Sequence, residues 1–253
     1  MTALKDKVAL VTGSSRGIGA GIAKLFAREG ARVAVHGRDD ASIAATRREI
    51  EQAGGRAIAV AADVTRYAEI EAMRDRIERE LGPIDILVAN AGGSFTPPAL
   101  LEQISEEGWR ASVEGNLTAT FLTIKSVLPG MKQRGSGAII TLSSSAGRRA
   151  NPHSPIPYGA AKAGIEMLTQ HVATQAGPFG VRVNCIAPET ILTERNRERI
   201  PEAQQKQLAD AHPLKRLGTP DDIAGAALFL ASNAAGWVTG VIIDVAGGAT
   251  MVR

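Results

Sequence analysis

Apolar residues fall along this 253-residue chain in two alternating rhythms. Short blocks are apolar on both faces: KVALVT (7–12), RVAVH (32–36), AIAVAAD (57–63), IDILVAN (84–90), GAIITLS (137–143), VRVNCIA (181–187) and GVIIDV (240–245). Strands sandwiched between helices read this way, because neither face meets water. Between them, GAGIAKLFAREG (19–30), SIAATRREIEQAGG (42–55) and EIEAMRDRIERELG (69–82) repeat apolar residues at three-and-four spacing. Each ends in Gly, a common residue just past a helix C-terminus. Longer helical patterns cover 99–133 and 158–176. Alternation with no composition break predicts one α/β domain over residues 1–253. It is a doubly wound sheet of about seven parallel strands with helices on both faces. In such sheets ligands bind outside the carboxyl ends of the strands.

Composition narrows the function classes. The net charge of +3, from 29 basic and 26 acidic side chains, is spread along the chain. No basic stripe with interleaved aromatics stands out, so nucleic acid is not an expected partner. No run approaches the roughly 20 apolar residues that cross a bilayer, and the N-terminus has no signal-peptide pattern. A single cysteine, Cys185 in an apolar run, rules out an internal disulfide and fits a reducing compartment. A cytoplasmic enzyme or binding protein is expected, with no metal site and no membrane.

Candidate chemistry clusters after the strands. The first strand runs into VTGSSRGIG, with Gly13, Gly17 and Gly19. The spacing is neither G-x-G-x-x-G nor a P-loop. The physics is shared: glycines allow a tight turn, close approach to a pyrophosphate, and free helix N–H groups aimed at the anion. Asp63 and Val64 end the third strand, and Asn90 to Gly93 end the fourth; both also suit caps or turns. Tyr158 and Lys162 lie four apart, hence on one face of a helix.

Together these segments resemble the short-chain dehydrogenases/reductases, nearest the branch of 3-oxoacyl-carrier-protein reductases. The motifs are TGSSRGIG (12–19), DV (63–64), NAG (90–92), GNL (115–117), ITLSSSAG (140–147), YGAAK (158–162), NCIAPETILT (184–193) and TGVIIDVAGG (239–248). The resemblance implies a Rossmann-type fold and reversible reduction of a ketone to a secondary alcohol. It implies Tyr158 as proton donor and acceptor, its pKa lowered by Lys162, which also holds the nicotinamide ribose. Ser144 would donate to the substrate oxygen, with Ser143 and Ser145 weaker choices, and Asn116 would organise a water linked to Lys162. Cofactor contacts would come from Gly13, Ser15, Arg16, Gly17, Ile18, Gly19, Arg38, Asp63, Val64, Asn90, Ala91, Gly92, Tyr158, Lys162, Pro188, Ile191 and Thr193.

Two departures matter. Pro188 is followed by Glu189 where the family usually has Gly, and Ala89 replaces the first Asn of Asn-Asn-Ala-Gly. An NAD enzyme carries an acid at the end of the second strand; here that position is Gly37, followed by Arg38. Asp39 and Asp40 lie beyond it and suit helix caps. Arg16 and Arg38 suit a ribose phosphate, so NADPH is expected over NADH, with NAD possible. An NAD-dependent alcohol, sugar or steroid dehydrogenase and a non-enzymatic dinucleotide-binding regulator are the alternatives. Residues 189–215 read as a polar substrate lid. Arg148, Arg149, Arg195, Arg197 and Arg199 could attract an acidic carrier or a carboxylate, or be solvated. His153 could touch a small carbonyl substrate, though an exposed loop histidine fits it better. The resemblance implies a homotetramer.

Overall fold

The computed structural model describes residues 2–251. Seven strands form one all-parallel sheet: β1 (Val8–Val11), β2 (Arg32–Gly37), β3 (Arg56–Ala61), β4 (Ile86–Ala89), β5 (Gly137–Leu142), β6 (Val181–Pro188) and β7 (Ile242–Val245). Their order is β3-β2-β1-β4-β5-β6-β7. Every block of apolar residues anticipated as a strand is one, shortened or extended by a residue or two. The order reverses between β1 and β4, which opens a crevice at their carboxyl ends.

The period-two alternation of each strand divides the core into two layers. Ala9, Val11, Val33, Val35, Val88 and Ile140 face α1 (Gly17–Arg28), α2 (Asp40–Gln52) and α10 (Pro220–Ala231). Val8, Leu10, Ala34, Leu87, Ile139 and Val183 face α3 (Tyr67–Glu80), α5 (Ala119–Arg134) and α7 (Ile156–Ala176). Phe26 on α1 is 0 % exposed; removing so large a buried ring costs about 3–5 kcal/mol. No helix among the described residues is long and apolar enough to cross a membrane.

One expected helix is broken. The span 99–133 holds a short turn at 101–103, then α4 (Glu106–Val113), a wide π turn at 114–118, and α5. Ser105 caps α4 by accepting from the Gly108 amide at 3.1 Å. The π turn adds a residue to the helical circuit, which re-aims Asn116 inward. Residues 189–215 carry two short, mostly exposed helices, α8 (Glu194–Arg199) and α9 (Glu202–Ala211). Between β5 and α7 lies the one-turn helix α6 (Ser145–Arg148).

Candidate active site

The glycine turn closes on the crevice because nothing larger fits. Gly13 has φ +66°, and a Cβ there would sit 2.9 Å from the Ala91 Cα. A Cβ on Gly19 would collide with the Gly13 carbonyl, and one on Gly17 (φ +58°) would come within 3.2 Å of Thr193. The turn thereby packs against the loop after β4 and against Thr193. Arg16 begins α1 with extended backbone and gives no side-chain cap. The first amides of that twelve-residue helix are therefore free to point at an anion.

Threonine and asparagine stitch this turn to its neighbour. Thr12 Oγ1 accepts from the amides of Asn90 and Ala91, both at 3.0 Å. The Asn90 amide nitrogen donates to the carbonyls of Thr12 (2.9 Å) and Gly13 (3.1 Å). Asn116, fully buried, donates to Gly93 O (2.9 Å) and Ser112 O (2.8 Å) and accepts from Gly93 N (3.0 Å). Its side chain is thus committed to the 92–93 loop.

At the end of β5 the three serines separate. Ser143 Oγ donates to Glu166 Oε1 at 2.6 Å and is turned inward. Ser145 is buried. Ser144 caps α6, accepting from the Ala146 amide at 3.2 Å, and its hydroxyl lies close enough to the Tyr158 phenol to draw that group's pKa down. Tyr158 and Lys162 occupy the first turns of α7, with the Lys162 Nζ 5.6 Å from the ring centre. That Nζ, on a side chain 4 % exposed, donates to Leu142 O at 2.7 Å.

The electrostatics reverse one expectation. Burial raises the Tyr158 pKa above its ordinary value of 10, opposed by the nearby Ser144 hydroxyl. Burial, not Lys162, decides the direction for the phenol; burial also pushes the Lys162 pKa down to about 8, with its Nζ tied to the Leu142 carbonyl. Arg148 also departs from the sequence reading. It is no carrier-facing cation: its guanidinium lies between Asp244 (2.9 Å) and Glu166 (3.1 Å), largely buried. Arg149, Arg195, Arg197, Arg199 and His153 are exposed. Burial pushes the Cys185 thiol up to about 11, as suits an inert core cysteine.

The end of β2, where the sequence places the adenosine, is built around small residues. A Cβ on Gly37 would press on Ile43 at 2.8 Å and on Ser15 at 3.3 Å, so no acid stands there. Asp39 caps α2, accepting from the backbone and hydroxyl of Ser42. Asp63 accepts from Thr65 N (2.9 Å) and Oγ1 (2.8 Å), a local turn, beside buried Val64. Arg16 and Arg38 are exposed; Arg38 lies near enough to Asp63, and Arg16 to Asp39, to help hold those carboxyls low. Where the sequence places the nicotinamide, Pro188 ends β6, and Ile191 bridges to Gly218. Thr193 caps α8. Glu189 is half-buried, accepting from Thr250 Oγ1 at 3.1 Å, so it clasps the C-terminal segment rather than extending into water. No cluster of three metal-ligating side chains exists among the described residues.

A glycine cradle without room for a Cβ, beside a helix with uncapped amides, suits a dinucleotide pyrophosphate. Comparison with known proteins agrees. The family profile described as enoyl-(acyl carrier protein) reductase matches residues 13–250. A 3-oxoacyl-[acyl-carrier-protein] reductase, FabG, of Chlamydia muridarum is 39 % identical over 97 % of this chain and 98 % of its own. The chain is a short-chain dehydrogenase/reductase.

This short-chain dehydrogenase/reductase is also 40 % identical to a cyclohexanol dehydrogenase of Rhodococcus sp., over 98 % of this chain and 97 % of that one. A solved 3-oxoacyl-[acyl-carrier protein] reductase with bound NAD, from Brucella melitensis, superposes with a TM-score of 0.90 at 36 % identity, covering 99 % and 94 % of the two chains. The protein is therefore an oxidoreductase of a family that binds NAD(P). Sequence reasoning had passed over three groups: Thr12, the Glu166–Arg148–Asp244 chain, and His36. Only His36, a lone histidine in an otherwise apolar strand, carried a visible signal.

Proposed function

We propose that this enzyme is an NADPH-dependent carbonyl reductase acting reversibly on a small ketone or a 3-oxoacyl thioester. The observation that carries the reading is the juxtaposition of Tyr158 with Ser144 and with the buried Lys162, whose Nζ lies 5.6 Å from the ring centre, at the mouth of the crevice. When bound, the reduced nicotinamide supplies a hydride to the carbonyl carbon. Tyr158 gives the proton to the oxygen, and its raised pKa keeps that proton in place at neutral pH. Ser144 donates to the same oxygen as negative charge develops there. Lys162 holds the nicotinamide ribose, and Asn116 fixes the 92–93 loop facing it.

The dinucleotide would be held in sequence order. Gly13, Ser15, Gly17, Ile18 and Gly19 take the pyrophosphate, and Arg16 with Arg38 takes the ribose phosphate. Asp63 and Val64 take the adenine, Asn90, Ala91 and Gly92 a ribose, and Pro188, Ile191 and Thr193 the nicotinamide amide. Residues 189–215 would form the lid. Assembly with further copies is supported by half-exposed apolar side chains on the helices expected to pair: Trp109 on α4, Phe121 on α5 and Met167 on α7.

The second reading, an NAD-dependent alcohol dehydrogenase, draws on the relative with bound NAD. A regulator without catalysis is disfavoured by the complete Ser144, Tyr158 and Lys162 set. Incubation with NADPH or NADH and a panel of ketones and 3-oxoacyl thioesters, read by nicotinamide absorbance, separates the three. Consumption of NADPH with product alcohol is expected. Faster consumption of NADH selects the second reading, and no consumption with any substrate overturns catalysis.

A further inference from the structure

His36 sits at the end of β2, 2 % exposed, in a strand that is otherwise apolar apart from its first residue, Arg32. Its ring spans two other strand ends. The Gly13 amide donates to Nδ1 at 3.0 Å, so Nδ1 is an acceptor. Nε2 must then carry the proton, and it donates to Ala62 O at 3.0 Å, just past β3. The His36 backbone completes the junction: its amide donates to Ser14 Oγ at 2.9 Å, and its carbonyl accepts from the Ser14 amide at 2.8 Å. Burial keeps the ring neutral, its pKa pushed down to about 4 against the opposing pull of Ala62 O and the Asp63 carboxylate.

Gly13 is the first glycine of the cradle and holds a left-handed backbone. Its amide meets a ring nitrogen in place of a sheet carbonyl, because the chain leaves the ladder there. We propose that His36 is a positioning residue for the dinucleotide, its Nδ1 fixing the Gly13 turn so that the following amides are set before the pyrophosphate arrives. The inference rests on the dinucleotide reading above. Without an acceptor at Nδ1 the partly buried Gly13 amide loses its partner, so the turn rearranges, and binding must then reorder it.

The two ring nitrogens can be tested apart. An Asn amide oxygen reaches the place of Nδ1, whereas a Gln amide nitrogen reaches that of Nε2. His36→Asn therefore keeps the bond to Gly13 and loses that to Ala62, and His36→Gln does the reverse. NADPH and NADH dissociation constants are measured by nucleotide fluorescence, and amide exchange of residues 12–19 is followed with no nucleotide present. The expected result is near-parental affinity and slow exchange for His36→Asn. His36→Gln should bind more weakly by about tenfold or more, with faster exchange at the turn. Equal affinity and equal exchange in the two variants would overturn the proposal, as would weaker binding by the Asn variant. If the parental protein binds neither nucleotide, the dinucleotide reading itself fails. The exchange comparison, made without nucleotide, still decides whether His36 sets the turn.

Discussion

The two ends of the crevice are held by different physics. At the adenosine end, Thr12, Ser14, His36 and Asn90 are uncharged side chains bonded to the main chain of adjacent strand ends. At the end proposed for chemistry, Lys162 is buried, and Arg148 is clasped by Glu166 and Asp244, with Glu166 reaching Ser143 beside Ser144. A neutral network fixes backbone direction at little desolvation cost. A charged one holds side chains in place but leaves each member dependent on its partners. Disturbing the first end should change nucleotide affinity, and disturbing the second should change turnover or stability.

The largest expected break is chemical. Tyr158→Phe removes one oxygen at the charged end, so turnover should drop by about 10²–10⁴-fold, roughly 3–5 kcal/mol. Nucleotide affinity, set elsewhere, should stay within about twofold of the parent's. Steady-state rates on any accepted ketone, beside a fluorescence titration with NADPH, check both halves. Parallel losses of affinity and turnover would show that the two ends are not separable.

Next in size is the ion chain. Arg148→Met leaves the largely buried carboxylates of Glu166 and Asp244 without their cation, at a cost of about 3 kcal/mol. For a chain of this length that lowers Tm by roughly 6–12 °C. Adding Glu166→Gln and Asp244→Asn to the same chain should recover most of it, which a like-charge account requires and a packing account does not. Calorimetry of the single and triple variants measures the difference.

Acid should loosen the adenosine end first. The His36 pKa of about 4 lies below its unfolded value of 6.5, so the unfolded chain takes up a proton that the fold refuses. The stability from this group is fully present above pH 6.5 and falls as pH drops toward 4, by about 2–3 kcal/mol. Aspartates held low, such as Asp39 and Asp63, lose stability in the same direction, so the parent is compared with His36→Asn. Urea unfolding at neutral and acid pH should show a shallower decline in the variant. An equal decline would mean that His36 is not neutral in the fold.

What was readable in the chain follows the same division. The seven strands were legible because burial on both faces leaves few polar residues to confuse the pattern, and the glycine turn because only glycine survives there. Ser144 was not separable from Ser143 by residue type; the contact of Ser143 with Glu166, 23 residues away, distinguishes them. Arg148 read as a solvated loop cation because one of its partners lies 96 residues away. The break at 114–118 was hidden because a π turn keeps the helical periodicity nearly intact while turning Asn116 toward Gly93. Local pattern carries elements and turns, whereas long-range polar pairing is invisible to it.

The smallest expected effect lies at the outer edge of the adenosine end. Arg16 and Arg38 are exposed, and each is already near a carboxylate, Asp39 or Asp63, that shares its charge. Solvent screening limits what an exposed cation contributes, so each arginine should add about one decade of preference for the ribose phosphate, near 1.4 kcal/mol. Reversal by an acid at the end of β2 is the wrong experiment, since a side chain on Gly37 presses on buried Ile43 and would confound specificity with strain. Arg38→Leu avoids that. It should weaken NADPH about tenfold and leave NADH nearly unchanged, because the lost partner is the phosphate alone. The salt dependence of NADPH affinity should also flatten. If Arg38→Leu weakens both nucleotides equally, the guanidinium supports the adenosine as a whole. If it improves neither and harms neither, Arg16 alone carries the preference, and the same pair of titrations on Arg16→Leu decides it.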